Sequence, residues 1–190
     1  LLILLFEYRN PETIGNYNLF DKMQMSLFQS VTTRTAGFIT IPQDKLTNPS
    51  ALISILLMFL GGSPVGTAGG VKTVTIAVLL CSAYATITNR DEVELFHRTI
   101  SQEAVRKSVA VVATSFCICL TSTLLLSAVC NADMLDIVYE TVSATATVGL
   151  TRNLTSTLNV WGKIIIITTM YLGRVGPISL LIAFTASNKK

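Results

Sequence analysis

TTRTAGF, residues 32–38, lies between two apolar tracts and has a counterpart further along the chain, ATATVGL at residues 144–150. Thr35-Ala36-Gly37-Phe38 and Thr147-Val148-Gly149-Leu150 stand 112 residues apart. At the same offset Met58-Phe59-Leu60-Gly61 meets Met170-Tyr171-Leu172-Gly173, and FQSVT (28–32) resembles YETVS (139–143) with one residue of slippage. Each match alone is weak. Three in the same order imply a duplicated unit, and the duplication governs how the rest of the chain is read.

The tracts around the strips have the composition of a membrane protein. Of 190 residues, 51% are hydrophobic and 13% charged, where a soluble domain carries about 25% charged residues. Mean hydropathy is +0.59. Residues 109–130 run for 22 positions without a charge, about 33 Å as a helix, which matches the hydrocarbon core. Residues 46–88 hold a single charge, Lys72, and residues 164–187 hold only Arg174. A soluble helical bundle does not fit this pattern. The opening run LLILLFEY is too short to span and lacks the basic start and cleavage site of a signal peptide, so it reads as the tail of a helix and the sequence as a fragment. Cys81, Cys117, Cys119 and Cys130 lack metal-ligand spacing and read as packing residues. The net charge of +3 is too small and scattered for nucleic-acid binding, and His97 reads as a solvated loop residue.

Each unit has the same parts. A spanning helix comes first, truncated at residues 1–6 in one unit and covering 105–130 in the other. Short elements follow at 20–31 and 134–142, with the length of re-entrant segments. Asp133 can cap the second, and Asp136 falls in its first turn. The Thr/Gly strip comes next, then a long apolar segment interrupted by glycine. The chain divides into residues 1–88, a linker at 89–104 and residues 105–190. Arg90, Arg98, Arg106 and Lys107 around the linker, with Lys189 and Lys190, point to the cytoplasm. Arg9, Lys22, Lys45, Arg152 and Lys163 fall on the other side, so the repeat carries the topology more than the charge count does.

Irregular backbone at membrane depth must be buried in protein or line a wet cavity. A short helix ending there brings roughly half a negative charge and favours a cation. A following extended strip can turn successive carbonyls toward one axis and replace an ion's water, with Gly37 and Gly149 permitting the positive φ that keeps them in line. That is the chemistry of a K⁺ filter. A single TAG or TVG is common in ordinary strands; two, each after a half-length helix and before a long span, are specific. The candidate ion-binding residues are Thr35, Ala36, Gly37, Thr147, Val148 and Gly149, with K⁺ at Gly37 and Gly149.

The strips, the interrupted segment FLGGSPVGTAGGVKT (59–73) and YLGRVGP (171–177) together resemble the Trk/Ktr/HKT superfamily of cation transporters, over essentially the whole chain. The form GGSP..TAGG.KT is more similar to the Ktr branch than to the Trk branch. The resemblance implies an all-α membrane protein of tandem helix–pore-loop–helix repeats, with residues 1–88 and 105–190 as the third and fourth of four around one pore. It implies that one Gly in each filter loop helps select K⁺, here Gly37 and Gly149. It further implies K⁺ uptake across a bacterial plasma membrane by a multi-pass homodimer in lipid, with a cytoplasmic nucleotide-binding regulatory subunit and Na⁺ as coupling or activating ion. A Ser for Gly in the first loop marks Na⁺-selective plant members, and that loop lies outside this sequence. A Na⁺-selective or Na⁺-coupled transporter is therefore the alternative within the superfamily.

Intramembrane charge needs a compensating partner or a wet cavity. Arg34 either braces the filter, with Glu140 as candidate partner, or stands in water at the outer mouth. Arg174 lies near the centre of the last span, placed as a positive barrier facing the pore below the filter. Lys72 either shares that role or marks the inner half of a broken helix and reaches for the cytoplasmic side. As one helix, residues 46–88 would be about 64 Å long, twice the hydrocarbon thickness. Gly61, Gly62, Gly66, Gly69 and Gly70 supply the break. At the offset of GRVGP it falls beneath the strip, where a loop could obstruct the pore and swing aside as a gate together with Arg174. The other reading is a static kink for close helix packing.

The same glycines do not form a nucleotide cradle. G-x-x-x-x-G-K-[ST] requires Gly directly before Lys, and Val71 intervenes between Gly70 and Lys72. An enzyme is not indicated. An alternating-access secondary transporter remains open, because spans broken by Gly and Pro also mark midplane sites, but an inverted repeat would put the two short elements on opposite faces. A non-transporting scaffold would require neither the paired strips nor the central Arg174.

Overall fold

The computed structural model describes residues 1–62, 69–88, 93–95 and 98–176. The first unit holds α1 (Leu2–Glu7), α2 (Leu19–Thr32), a 3-10 turn at Gln43–Lys45, α3 (Asn48–Phe59) and α4 (Thr73–Ile87). A two-residue antiparallel ribbon follows, β1 (Glu94–Leu95) with β2 (Arg98–Thr99), in the register Glu94 to Thr99 and Leu95 to Arg98. The second unit holds α5 (Gln102–Val129), α6 (Met134–Thr145), the single turn α7 (Leu154–Thr157) and α8 (Val160–Val175). Apart from the ribbon, the described elements are helical. This is an all-α membrane fold.

Local chemistry sets the helix ends. Ser101 accepts from the Ala104 N–H at 3.3 Å to open α5, and Asn159 accepts from the Gly162 N–H at 2.8 Å to open α8. Pro49 lies in the first turn of α3, where its missing N–H leaves no bond unmade. Asp133 occupies the N-cap of α6 but makes no capping hydrogen bond. Among the described residues α5, with 28 residues, is the one helix long and apolar enough to cross a bilayer alone. The tract before it is two shorter apolar helices, α3 with 12 residues and α4 with 15. Helices α2 and α6 have 14 and 12 residues, about 21 and 18 Å, well short of a bilayer.

Polarity runs opposite to that of a soluble bundle. Ser108, Ser115, Ser122 and Thr123 of α5 are buried, whereas Phe116, Leu120, Leu124 and Leu125 are exposed. On α8, Gly162, Thr169 and Gly173 face inward and Trp161, Ile164, Ile167 and Tyr171 outward. The Ser122 and Thr169 hydroxyls meet at 2.7 Å between α5 and α8, and those of Thr123 and Thr141 at 2.8 Å between α5 and α6. Small hydroxyl residues at helix seams and large apolar ones outside suit lipid as solvent. Helix α6 lies in the middle, packed on α3, α5 and α8.

One buried carboxylate ties the start of the chain to α3. Glu7 accepts from Asn10 Nδ2 at 2.7 Å, Thr13 Oγ1 at 2.6 Å, the Thr47 N–H at 2.9 Å and Thr47 Oγ1 at 2.7 Å. Thr47 is the N-cap of α3, so the negative charge sits at the positive end of the helix dipole. Four donors are what make its burial tolerable.

Candidate functional site

Both short helices hand over to left-handed backbone at the same point of the repeat. After α2, Thr35 has φ 66° and Gly37 φ 75°; after α6, Thr147 has φ 55° and Gly149 φ 89°. The repeat in residue types is thus also a repeat in conformation. Ala36 and Val148 between them keep negative φ, and a strip alternating in this way can present carbonyls to one axis, as ion filters do. Left-handed backbone at a β-branched residue costs on the order of 1–3 kcal/mol. Among the described non-glycine residues Asn153 alone joins the two threonines there.

The strip amides are bonded back to the helix ends. Thr32 O accepts from the Ala36 and Gly37 N–H groups, both at 3.2 Å, and Ser143 O accepts from the Val148 N–H at 2.9 Å. No hydrogen bond among the described residues ends on the carbonyls of Thr35, Ala36, Thr147 or Val148. Four of the six strip N–H groups, those of Ala36, Gly37, Thr147 and Val148, are consumed within the chain while the carbonyls are left over, the balance a cation requires.

The two glycines differ in their surroundings. A Cβ on Gly37 would fall on the carbonyl oxygen of Val148, so the strips touch there, whereas a Cβ on Gly149 would meet nothing within 4 Å. Gly173 of α8 presses on the Thr145 carbonyl. Arg174, the next residue, is exposed in the last turn of α8. The far end of the glycine-rich break also reaches the second strip. The Gly69 N–H donates to Thr147 Oγ1 at 3.2 Å, and a Cβ on Gly70 would stand 3.2 Å from that of Ala146. At the near end Gly61 (φ 45°) packs against the carbonyls of Val71 and Gly69, and Gly62 O accepts from the Thr73 N–H at 3.3 Å. Lys72 is the N-cap of α4. Gly66 lies outside the described residues.

Among the described residues Arg34 and Glu140 are not brought together. Arg34 is exposed and makes no ion pair among the described residues. Glu140 is buried and accepts from Thr151 Oγ1 at 2.8 Å and from Thr155 Oγ1. Two hydroxyls just beyond the second strip reach the carboxylate, so it needs no guanidinium. A cavity of about 170 Å³ behind this strip is lined by Glu140, Ser143, Thr147, Val148, Thr151 and Met170, among others.

The arginine bonded to an acid of α6 is Arg152. Its Nε bonds Asp136 Oδ1 at 2.6 Å, its Nη1 donates to Gln43 O at 3.0 Å, and its guanidinium lies 5.9 Å from the Tyr139 ring centre. Gln29, Gln43, Tyr139 and Arg152 were not among the sequence candidates. The one signal for them was the alignment of FQSVT with YETVS, which sets Gln29 beside Glu140 as matching polar residues within short apolar helices.

The TrkH family, described as cation transport proteins, matches residues 2–190. The chain is 38% identical over 189 residues to the Ktr system potassium uptake protein B of Bacillus subtilis, covering 100% of this chain and 42% of that protein. It is 37% identical over 180 residues to the Ktr system potassium uptake protein B of Vibrio alginolyticus, covering 95% and 40%. The potassium/sodium uptake protein NtpJ of Enterococcus hirae is 33% identical over 184 residues, covering 95% and 41%. The chain spans about two fifths of the length of these curated relatives. With a family match over nearly every residue, on a helical membrane fold carrying paired glycine strips, this chain belongs to the TrkH family of cation transport proteins.

Proposed function

We propose that this chain supplies two walls of a cation-conducting pore, with residues 35–37 and 147–149 lending their carbonyls to a filter that takes K⁺. The observation carrying this reading is the matched pair of left-handed Thr and Gly residues whose strip carbonyls have no protein donor. The direction of transport, uptake, comes from the relatives named potassium uptake proteins. Contact of Gly37 with the Val148 carbonyl favours two parallel repeats about one axis over an inverted pair. Na⁺ as a second transported or coupling ion is favoured by the relative named for potassium and sodium.

The glycine-rich break acts as the gate in this reading. Gly69 and Gly70 touch the second strip from one side and Gly61 and Gly62 anchor the other end, so a displaced loop would clear the base of the filter. Arg174 adds a positive barrier at the same level. By family resemblance, the protein is a multi-pass plasma-membrane homodimer with a cytoplasmic nucleotide-binding regulatory subunit. Glu140 braces the second strip from behind; Arg34 is left to the outer mouth.

Uptake of K⁺ and Na⁺ by the complete protein, in bacteria lacking their own K⁺ uptake, tests the filter. Gly149→Ser is expected to lower the preference for K⁺ over Na⁺ about tenfold, the equivalent of roughly 1.4 kcal/mol. An unchanged preference would contradict the assignment.

A further inference from the structure

A buried polar bridge joins the two repeats behind the strips. Gln29, on α2, and Gln43, in the turn beyond the first strip, form a reciprocal amide pair. Gln29 Nε2 donates to Gln43 Oε1 at 2.7 Å, and Gln43 Nε2 donates to Gln29 Oε1 at 3.1 Å. Gln43 Nε2 also donates to the Ile41 carbonyl at 2.6 Å. Two contacts cross to the second repeat. The Tyr139 hydroxyl of α6 donates to Gln43 Oε1 at 2.8 Å, and Arg152 Nη1 donates to the Gln43 main-chain carbonyl at 3.0 Å.

The Gln43 amide therefore has both donors and both acceptor sites in use. Gln29 and Tyr139 are 0% exposed and Gln43 2%. Apolar side chains could fill such a space in several ways, whereas a fully satisfied polar network fixes one arrangement. In sequence the bridge grips each repeat on both sides of its strip: Gln29 and Gln43 flank Gly37, and Tyr139 and Arg152 flank Gly149. None of its four residues belongs to the strips themselves.

We propose that Gln43 is a positioning residue for ion selection, holding the two strips through Tyr139 and Arg152 at the spacing that suits K⁺. Na⁺ is the smaller ion, and on the cavity-size account of selectivity a carbonyl ring held apart from behind fits it less well than one free to contract. The proposal rests on the filter reading above.

The test compares apparent KM values for K⁺ and Na⁺ uptake by the complete protein at matched membrane abundance. Tyr139→Phe removes one hydroxyl and keeps the ring. It is expected to reduce the K⁺-over-Na⁺ preference by roughly two- to tenfold, the scale of one neutral hydrogen bond. Gln43→Leu should reduce it further, and the double variant should be no worse than Gln43→Leu alone, since both remove the same link. Unchanged preference in Tyr139→Phe and Gln43→Leu, beside a shifted preference in Gly149→Ser, overturns the bridge and leaves the filter standing. No shift in Gly149→Ser either overturns the filter itself. Equal loss of K⁺ and Na⁺ uptake at constant preference means the bridge only supports the fold, which also overturns the proposal. If Gln43→Leu does not reach the membrane, Tyr139→Phe decides alone.

Discussion

The two short helices share one repeat pattern and live in different surroundings. Helix α6 is enclosed by α3, α5 and α8, and eight of its twelve residues are buried, among them every residue from Tyr139 to Thr145. Helix α2 buries only the stripe of Lys22, Ser26, Gln29 and Thr32, at helical spacing, and leaves Phe20 74% and Leu27 67% exposed. Yet both end in a left-handed Thr and a left-handed Gly two residues later. The strip conformation is therefore a local property of its own sequence. What holds each strip in place is not local, and the two strips are held differently.

The glycines offer the sharpest way to break that contrast. Gly37→Ala adds a Cβ on the Val148 carbonyl at φ 75°, so overpacking and strain together should cost about 2–5 kcal/mol. Gly149→Ala meets nothing within 4 Å and should cost only the strain, about 1–2 kcal/mol. Thermal unfolding of the purified protein in detergent reads the difference; equal losses would mean that the strips do not touch as described. Gly173→Ala should come next, at about 1–3 kcal/mol, by wedging α8 away from the Thr145 carbonyl. An unaltered melting temperature there would show that α8 does not support the second strip.

The acid behind the strip separates the two braces. Glu140→Ala leaves the Thr151 and Thr155 hydroxyls without their acceptor and should cost about 1–3 kcal/mol. Arg34→Ala, at an exposed position with no ion pair among the described residues, should stay within about 0.5 kcal/mol. Similar losses for both, with strong coupling in the double variant, would show that Arg34 pairs with Glu140. The smallest effect is expected at the seam of α5 and α8, where Ser122→Ala removes one hydroxyl contact, worth about 0.6 kcal/mol in a membrane helix pair.

Much of this architecture is legible in the residues because its causes are local. Gly37 and Gly149 announce positive φ, a tract of 43 residues with one charge must break, and two short apolar elements cannot span. Helix α6 runs to Thr145, beyond the expected end at residue 142, with Thr145 Oγ1 bonded back to the Thr141 carbonyl. The brace was not legible. Tyr139 meets Gln43 across 96 positions and Arg152 meets it across 109. No spacing rule connects residues so far apart, and Arg152 stands two residues beyond the second strip with nothing in the sequence to mark its partners.

The central claim is that these strips hold the ion. Anomalous diffraction from crystals of the complete protein grown with Rb⁺ or Tl⁺ in place of K⁺ tests it most directly. The expected result is a peak within coordination distance of the carbonyls of Thr35, Ala36, Thr147 and Val148. Transport-competent protein with the ion bound elsewhere, and none beside these four carbonyls, would contradict it.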